Sequence, residues 1–134
     1  FWTGTREVHI NYIPRKPTPY GIEMKTLAYS SARIVLQLEM VEGRELDATK
    51  KYRDQVGAST ATTLRLCEPW AGSGHIVVAD AWFGSCNTAE WLMDVLGLYC
   101  ILAVKTGHRG FPKQELIRQI RPTRYSSAFK KVTV

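Results

Sequence analysis

Two short apolar runs constrain the fold of this chain most. Ile76, Val77, Val78 and Ala79 stand in succession after His75, and residues 99–104 are almost as apolar. Runs this short and uniform read as strands covered on both faces. The residues between them read as a helix. Trp91, Leu92, Val95 and Leu96 fall on one buried stripe, Asn87 and Glu90 stand at capping-box spacing, and Gly97 is placed to end the helix. A strand, a helix and a strand in series ask for a sheet with the helix packed on it.

Upstream the pattern is antiparallel. Val8, Ile10 and Tyr12 alternate with His9, Asn11 and Ile13, which predicts a strand. Pro14, Pro17 and Pro19 then impose an extended stretch up to Gly21. Residues 22–29 and 33–40 read as a hairpin turned at Ser30-Ser31. In its second strand Ile34, Leu36, Leu38 and Met40 share one face, and Val35, Gln37 and Glu39 the other. Residues 41–59 form a charged loop with a short helical turn, in which Asp47 and Asp54 are solvated. Residues 58–68 predict a helix stopped by Pro69, and Gly72-Ser73-Gly74 a turn. After the last strand come a turn-rich loop, 106–112, and a short helix, 113–120. The order is β-β-β-α-β-α-β: an α/β fold with three antiparallel strands, then alternating α and β, in one mixed sheet flanked by helices.

A length of 134 residues fits one domain, and 45% hydrophobic with 22% charged residues excludes wholesale disorder. The longest uncharged apolar run, 97–104, is far too short to span a bilayer, and no signal pattern precedes it. The chain opens on Phe1 rather than Met, which reads as a piece of a longer polypeptide. Cys67, Cys86 and Cys100 are widely spaced, with no CxxC and no His at ligand spacing. That argues against a disulfide scaffold or structural zinc and for a reducing compartment, with Cys67 and Cys100 in the core.

Charge is unevenly placed. Residues 1–104 carry 10 basic and 11 acidic side chains, whereas 105–134 carry 8 basic ones against Glu115 alone. The whole excess of +6 therefore lies in the last segment, in Lys105, Arg109, Lys113, Arg118, Arg121, Arg124, Lys130 and Lys131. Such a segment can pair with phosphates and gain by counterion release. The plainer alternative is a solvated tail facing acidic surface elsewhere.

Asp80 is the residue with chemistry in it. It closes a predicted strand and precedes a Gly-containing loop and a helix. Functional groups in α/β sheets gather at carboxyl ends of strands. A carboxylate there can hold Mg²⁺, or it can cap a turn through its own backbone. Trp82-Phe83 beside it can line a groove for bases or fill the core under the loop. His9, His75 and His108 have no Ser, Cys or Asp partner at a recognised spacing, and no glycine pattern fits a dinucleotide or P-loop site.

Three separated segments resemble the piggyBac transposase family. Tyr12-Ile13-Pro14-Arg15-Lys16-Pro17, followed by Tyr20-Gly21-Ile22, is similar to its YIPxKPxxYGIK stretch. Val78-Ala79-Asp80-Ala81-Trp82-Phe83-Gly84-Ser85 resembles its strand ending in D-N-[WF]-F-[TS]-S, and residues 104–112 its GTVRxNRKxxP loop. The resemblance implies an RNase H-like core that cuts and joins DNA with three Asp residues and two Mg²⁺ or Mn²⁺ ions. Asp80 matches the second Asp, as catalytic residue and metal ligand. Lys105, Arg109, Lys113, Arg118, Arg121 and Arg124 are the expected DNA contacts. It also implies a nuclear protein and a homodimer at full length, with no membrane and no small-molecule substrate. Residues 1–113 would belong to the catalytic domain, and 114–134 to a basic insertion or the start of a linker.

The chain departs from the pattern in places. Trp2-Thr3-Gly4-Thr5 stands where the family has F-R-G-R, Ala81 where it has Asn, and Glu23 where it has Lys. The first and third Asp are expected outside this chain. One carboxylate does not make a two-metal site, so this polypeptide alone is expected to be inactive. The alternative is a domesticated or decayed relative that binds DNA without catalysis.

Overall fold

A computed structural model describes residues 10–119. Strands β1 (Asn11–Tyr12) and β2 (Tyr20–Gly21) form an antiparallel pair around the proline-rich loop. Strands β3 (Met24–Tyr29) and β4 (Ile34–Met40) form a longer hairpin. Helix α1 (Arg44–Thr49) sits in the charged loop, and α2 (Ala58–Cys67) runs into a 3₁₀ turn at Glu68–Trp70. Strand β5 (Ile76–Ala79), helix α3 (Cys86–Asp94) and strand β6 (Tyr99–Leu102) make a parallel unit, with α4 (Lys113–Gln119) beyond it. The expected elements recur in order, with β2 added where an extended stretch is expected; of the expected first strand, 8–13, residues 8 and 9 lie outside the described residues. The single mixed sheet does not form among the described residues, where the strands make three separate two-stranded sheets.

The hairpin turns over four residues, 30–33, because Tyr29 pairs with Ile34 and Arg33 takes φ 55°. The register slips between Leu27 and Ala28, so Leu36 is an extra residue in β4. A bulge of this kind breaks strict alternation. Beyond it, Leu38 and Met40 are exposed while Glu39 is half-buried, gripped by Arg65 of α2. The Arg65 Nε donates to Glu39 Oε2 at 2.9 Å and Nη2 to Oε1 at 2.5 Å. Asp47 is half-buried rather than solvated, because Lys50 reaches it at 2.7 Å.

The core lies between α2, α3 and the β5–β6 pair. Leu64, Cys67, Leu92, Leu96 and Leu98 are buried together, with Leu27, Val77, Trp91 and Cys100 packed around them. Burial pushes the Cys67 thiol up to about 11, as an apolar setting disfavours the thiolate. All three cysteines are free.

Helix α3 differs from expectation at both ends. Ser85 caps it, in place of Asn87: its extended backbone lets Oγ accept the Thr88 N–H at 2.9 Å. Gly97 ends the turn at φ 61°, as expected, and the Leu98 N–H returns to Leu92 O at 2.9 Å. Val95 is exposed, since it lies past the last helical turn. β5 and β6 are covered on one face only. Val77 and Cys100 turn inward, whereas Ile76, Val78, Tyr99 and Ile101 are exposed. Among the described residues no helix is long and apolar enough to cross a membrane.

Candidate functional site

Asp80 follows the last residue of β5, at the carboxyl end of a parallel pair. Its Oδ1 accepts the Trp82 N–H at 2.8 Å, and its carbonyl accepts the Gly84 N–H at 2.8 Å. The turn-capping alternative therefore holds. One carboxylate oxygen ties the bend, and the exposed side chain still faces open space. That space is a groove of about 760 Å³ between the proline-rich loop and the Asp80 loop.

Packing fixes the bend behind Asp80. A Cβ at Gly84 would collide with the Ala103 carbonyl and lie 3.1 Å from Asp80 O, so only glycine fits there. Next to it the Ser85 and Thr88 hydroxyls meet at 2.8 Å, and Thr88 donates to Phe83 O at 3.0 Å. Thr60 of α2 reaches the same hydroxyl at 2.8 Å. The loop is thus bolted to two helices, and Asp80 is presented from a rigid frame.

The same groove holds a charged cluster in which sequence reasoning did not single out Lys25. Lys25 Nζ lies 3.3 Å from the Trp82 ring centroid and 2.5 Å from Glu23 Oε1. Asn11 Nδ2 donates to Glu23 Oε2 at 3.2 Å. Trp82 meets Phe83 edge-on, with centroids 4.7 Å apart. Arg15 and Lys16 line the same groove. The available signal for these two was the turn chemistry: Pro14 suits the second position of a turn whose next two residues are Arg15 and Lys16.

The expected DNA contacts lie elsewhere. Lys105 and Arg109 are exposed in the loop after β6, and Lys113 and Arg118 on α4, none of them lining the groove. Arg118 is 3.9 Å from Glu115. Arg121 and Arg124 lie outside the described residues. Among the described residues no three His, Cys, Asp or Glu side chains converge as a metal site. Glu23, the other groove carboxylate, is already engaged by Lys25 and Asn11. The donor set amounts to one carboxylate and does not by itself fit a pair of divalent ions.

A family model described as Transposase IS4 matches residues 3–133. The chain belongs to this transposase family. Its fold is similar to that of piggyBac transposase, solved by cryo-electron microscopy as a synaptic complex with hairpin DNA. The TM-score is 0.68 and the identity 25%, over 85% of this chain and 23% of that one. The transposase chain thus spans under a quarter of the solved protein. No curated protein matches it. The family match and the structural likeness together bear out the piggyBac-type reading of the three sequence segments.

Proposed function

We propose that this chain is the central part of the catalytic domain of a piggyBac-like DNA transposase, an RNase H-like core that cuts and joins DNA. The observation that carries the reading is Asp80, rigidly held at a strand end on the rim of an open groove. Its family membership and the DNA in the solved relative's complex support DNA as the partner. Two divalent ions, Mg²⁺ or Mn²⁺, would activate the attacking oxygen and stabilise the leaving one. The described residues offer such a pair one ligand, so no catalytic step is assigned to this chain alone. The further carboxylates belong to the rest of a longer polypeptide, acting in the nucleus as a homodimer.

The test is a polypeptide extended until it carries all three carboxylates. Metal-dependent nicking of transposon-end DNA is expected, with Asp80→Asn reducing it below detection. Nicking that survives Asp80→Asn would remove Asp80 from the reaction.

A second reading follows from Ala81 and from the missing arginines at residues 2–5. A relative that kept DNA binding and lost strand transfer would show no nicking in the extended polypeptide, and Asp80→Ala would leave or raise its DNA affinity. Loss of a carboxylate near phosphates removes repulsion.

A further inference from the structure

We propose that the groove in front of Asp80 seats one unpaired DNA strand, with Arg15 and Lys16 holding its phosphates and Trp82 stacking a base. The inference rests on the reading that the protein handles DNA, and it moves the strand contact from the basic terminal segment to the proline-rich loop.

The cations come first. Arg15 and Lys16 sit in a tight turn in which the Lys16 N–H bonds to Ile13 O at 3.1 Å. Pro14 fixes φ within that turn. The Ile13 N–H bonds to Pro19 O at 2.8 Å, and the Tyr12 and Tyr20 rings pair at 4.9 Å across the base of the loop. Both side chains are exposed, line the groove, and form no ion pair among the described residues. Cations mounted on a braced loop lose less freedom on meeting a phosphate than cations on a tail.

Lys25 has a different task. Its side chain is 11% exposed, it is ion-paired with Glu23, and it sits against one face of Trp82. That contact holds the indole in place. Trp82 is still 45% exposed, and its backbone N–H is bonded to Asp80 Oδ1. A ring so placed offers a stacking platform at a fixed position from the carboxylate. Bases in a duplex are already stacked and must be pulled out at a cost, whereas an unpaired base is free to stack. The groove therefore favours a single strand over a blunt duplex.

The experiment measures anisotropy of fluorescein-labelled oligo(dT) and of a blunt duplex of equal length, titrated with the 134-residue chain at several KCl concentrations. Far-ultraviolet circular dichroism matching the wild-type spectrum establishes that each variant is folded. The single strand is expected to bind about tenfold tighter, the lower range of stacking on one aromatic ring. Trp82→Leu abolishes that preference, and Trp82→Phe, which keeps a ring, retains most of it. Arg15→Gln with Lys16→Gln lowers the slope of log affinity against log salt by about 1.4, two single-strand phosphates' worth. Wild-type binding by these variants, with loss on neutralising Arg118, Arg121 and Arg124, overturns the groove while leaving DNA as the partner. Equal loss of preference in the Phe and Leu variants overturns the stacking. No binding to either DNA overturns both the groove and the reading it rests on.

Discussion

Thr88 has no solvent exposure, and its hydroxyl serves three neighbours at 2.8–3.0 Å: Thr60, Ser85 and the Phe83 carbonyl. No buried side-chain polar atom among the described residues lacks a partner, which makes this network complete. Thr88→Val keeps the shape and takes a partner from all three, although Ser85 Oγ keeps the Thr88 N–H. A loss of about 1–3 kcal/mol is expected from the desolvated groups left unpaired. Urea denaturation measures it, and Thr88→Ser, which keeps the hydroxyl, should retain most of the stability. An unchanged Val variant would mean that the loop behind Asp80 is not held by these bonds. The sequence made Asp80 legible because a carboxylate directly after an apolar run sits at a strand end whatever the tertiary details. It could not show Lys25 meeting Trp82, since residues 57 apart are joined only by packing of the hairpin against the Asp80 loop.

Helix α3 separates what local pattern encodes from what it does not. The run of Trp91, Leu92 and Leu96 and the terminal Gly97 were legible from period and turn chemistry alone. The cap was not. Asn87 has the right type and spacing, yet Ser85 stands where the backbone is still extended, at φ −153° and ψ 162°. Ser85→Ala should therefore cost about 1 kcal/mol, the usual worth of a side-chain N-cap. Asn87→Ala, exposed and inside the helix, should stay within about 0.5 kcal/mol. Chemical denaturation of the two variants decides between the sites. Strand β4 stands as expected, but its strict two-face alternation does not, because the bulge at Leu36 and the Arg65 clamp on Glu39 depend on partners in other elements. The same corner carries a pH signature. Burial pushes Asp47 up, but the Lys50 hydrogen bond, the Glu42 N–H and the charges of Lys50 and Arg65 outweigh it and leave its carboxyl below the usual range. A carboxyl depressed by folding stabilises above its unfolded value of about 4, and that stability fades as pH falls through its folded value. Lys50→Met should thus make the acid limb of stability shallower, as read by melts from pH 6 down to 2.

At the scale of the whole molecule the described residues form an assembly of short sheets with much apolar surface uncovered. Among the described residues the β3–β4 hairpin and the β5–β6 pair are each two-stranded, so every one of these strands has an unpaired edge. A cavity of about 420 Å³ opens between them, lined by Leu27 and Tyr29 on one side and by Val77 and Val78 on the other. Val78 is 73% exposed and Ile101 62%. Strands this apolar are ordinarily covered on both faces, which is why they read as buried in the sequence. Open edges and bare apolar faces are also the surfaces that associate most readily. The core among the described residues, built on Leu64, Leu92, Leu96 and Leu98, is small. The chain by itself should therefore bind a hydrophobic dye strongly and unfold over a broad thermal range, because few contacts tie the hairpin to the parallel unit. Val78→Lys and Ile101→Lys, on the uncovered face, should lower dye binding without shifting the transition. In an extended transposase polypeptide that covers this face the same substitutions should be severely destabilising, since they would bury unpaired charge. A sharp transition with no dye binding in the 134-residue monomer would show instead that these strands are self-sufficient, and the face would lose its claim to a missing cover.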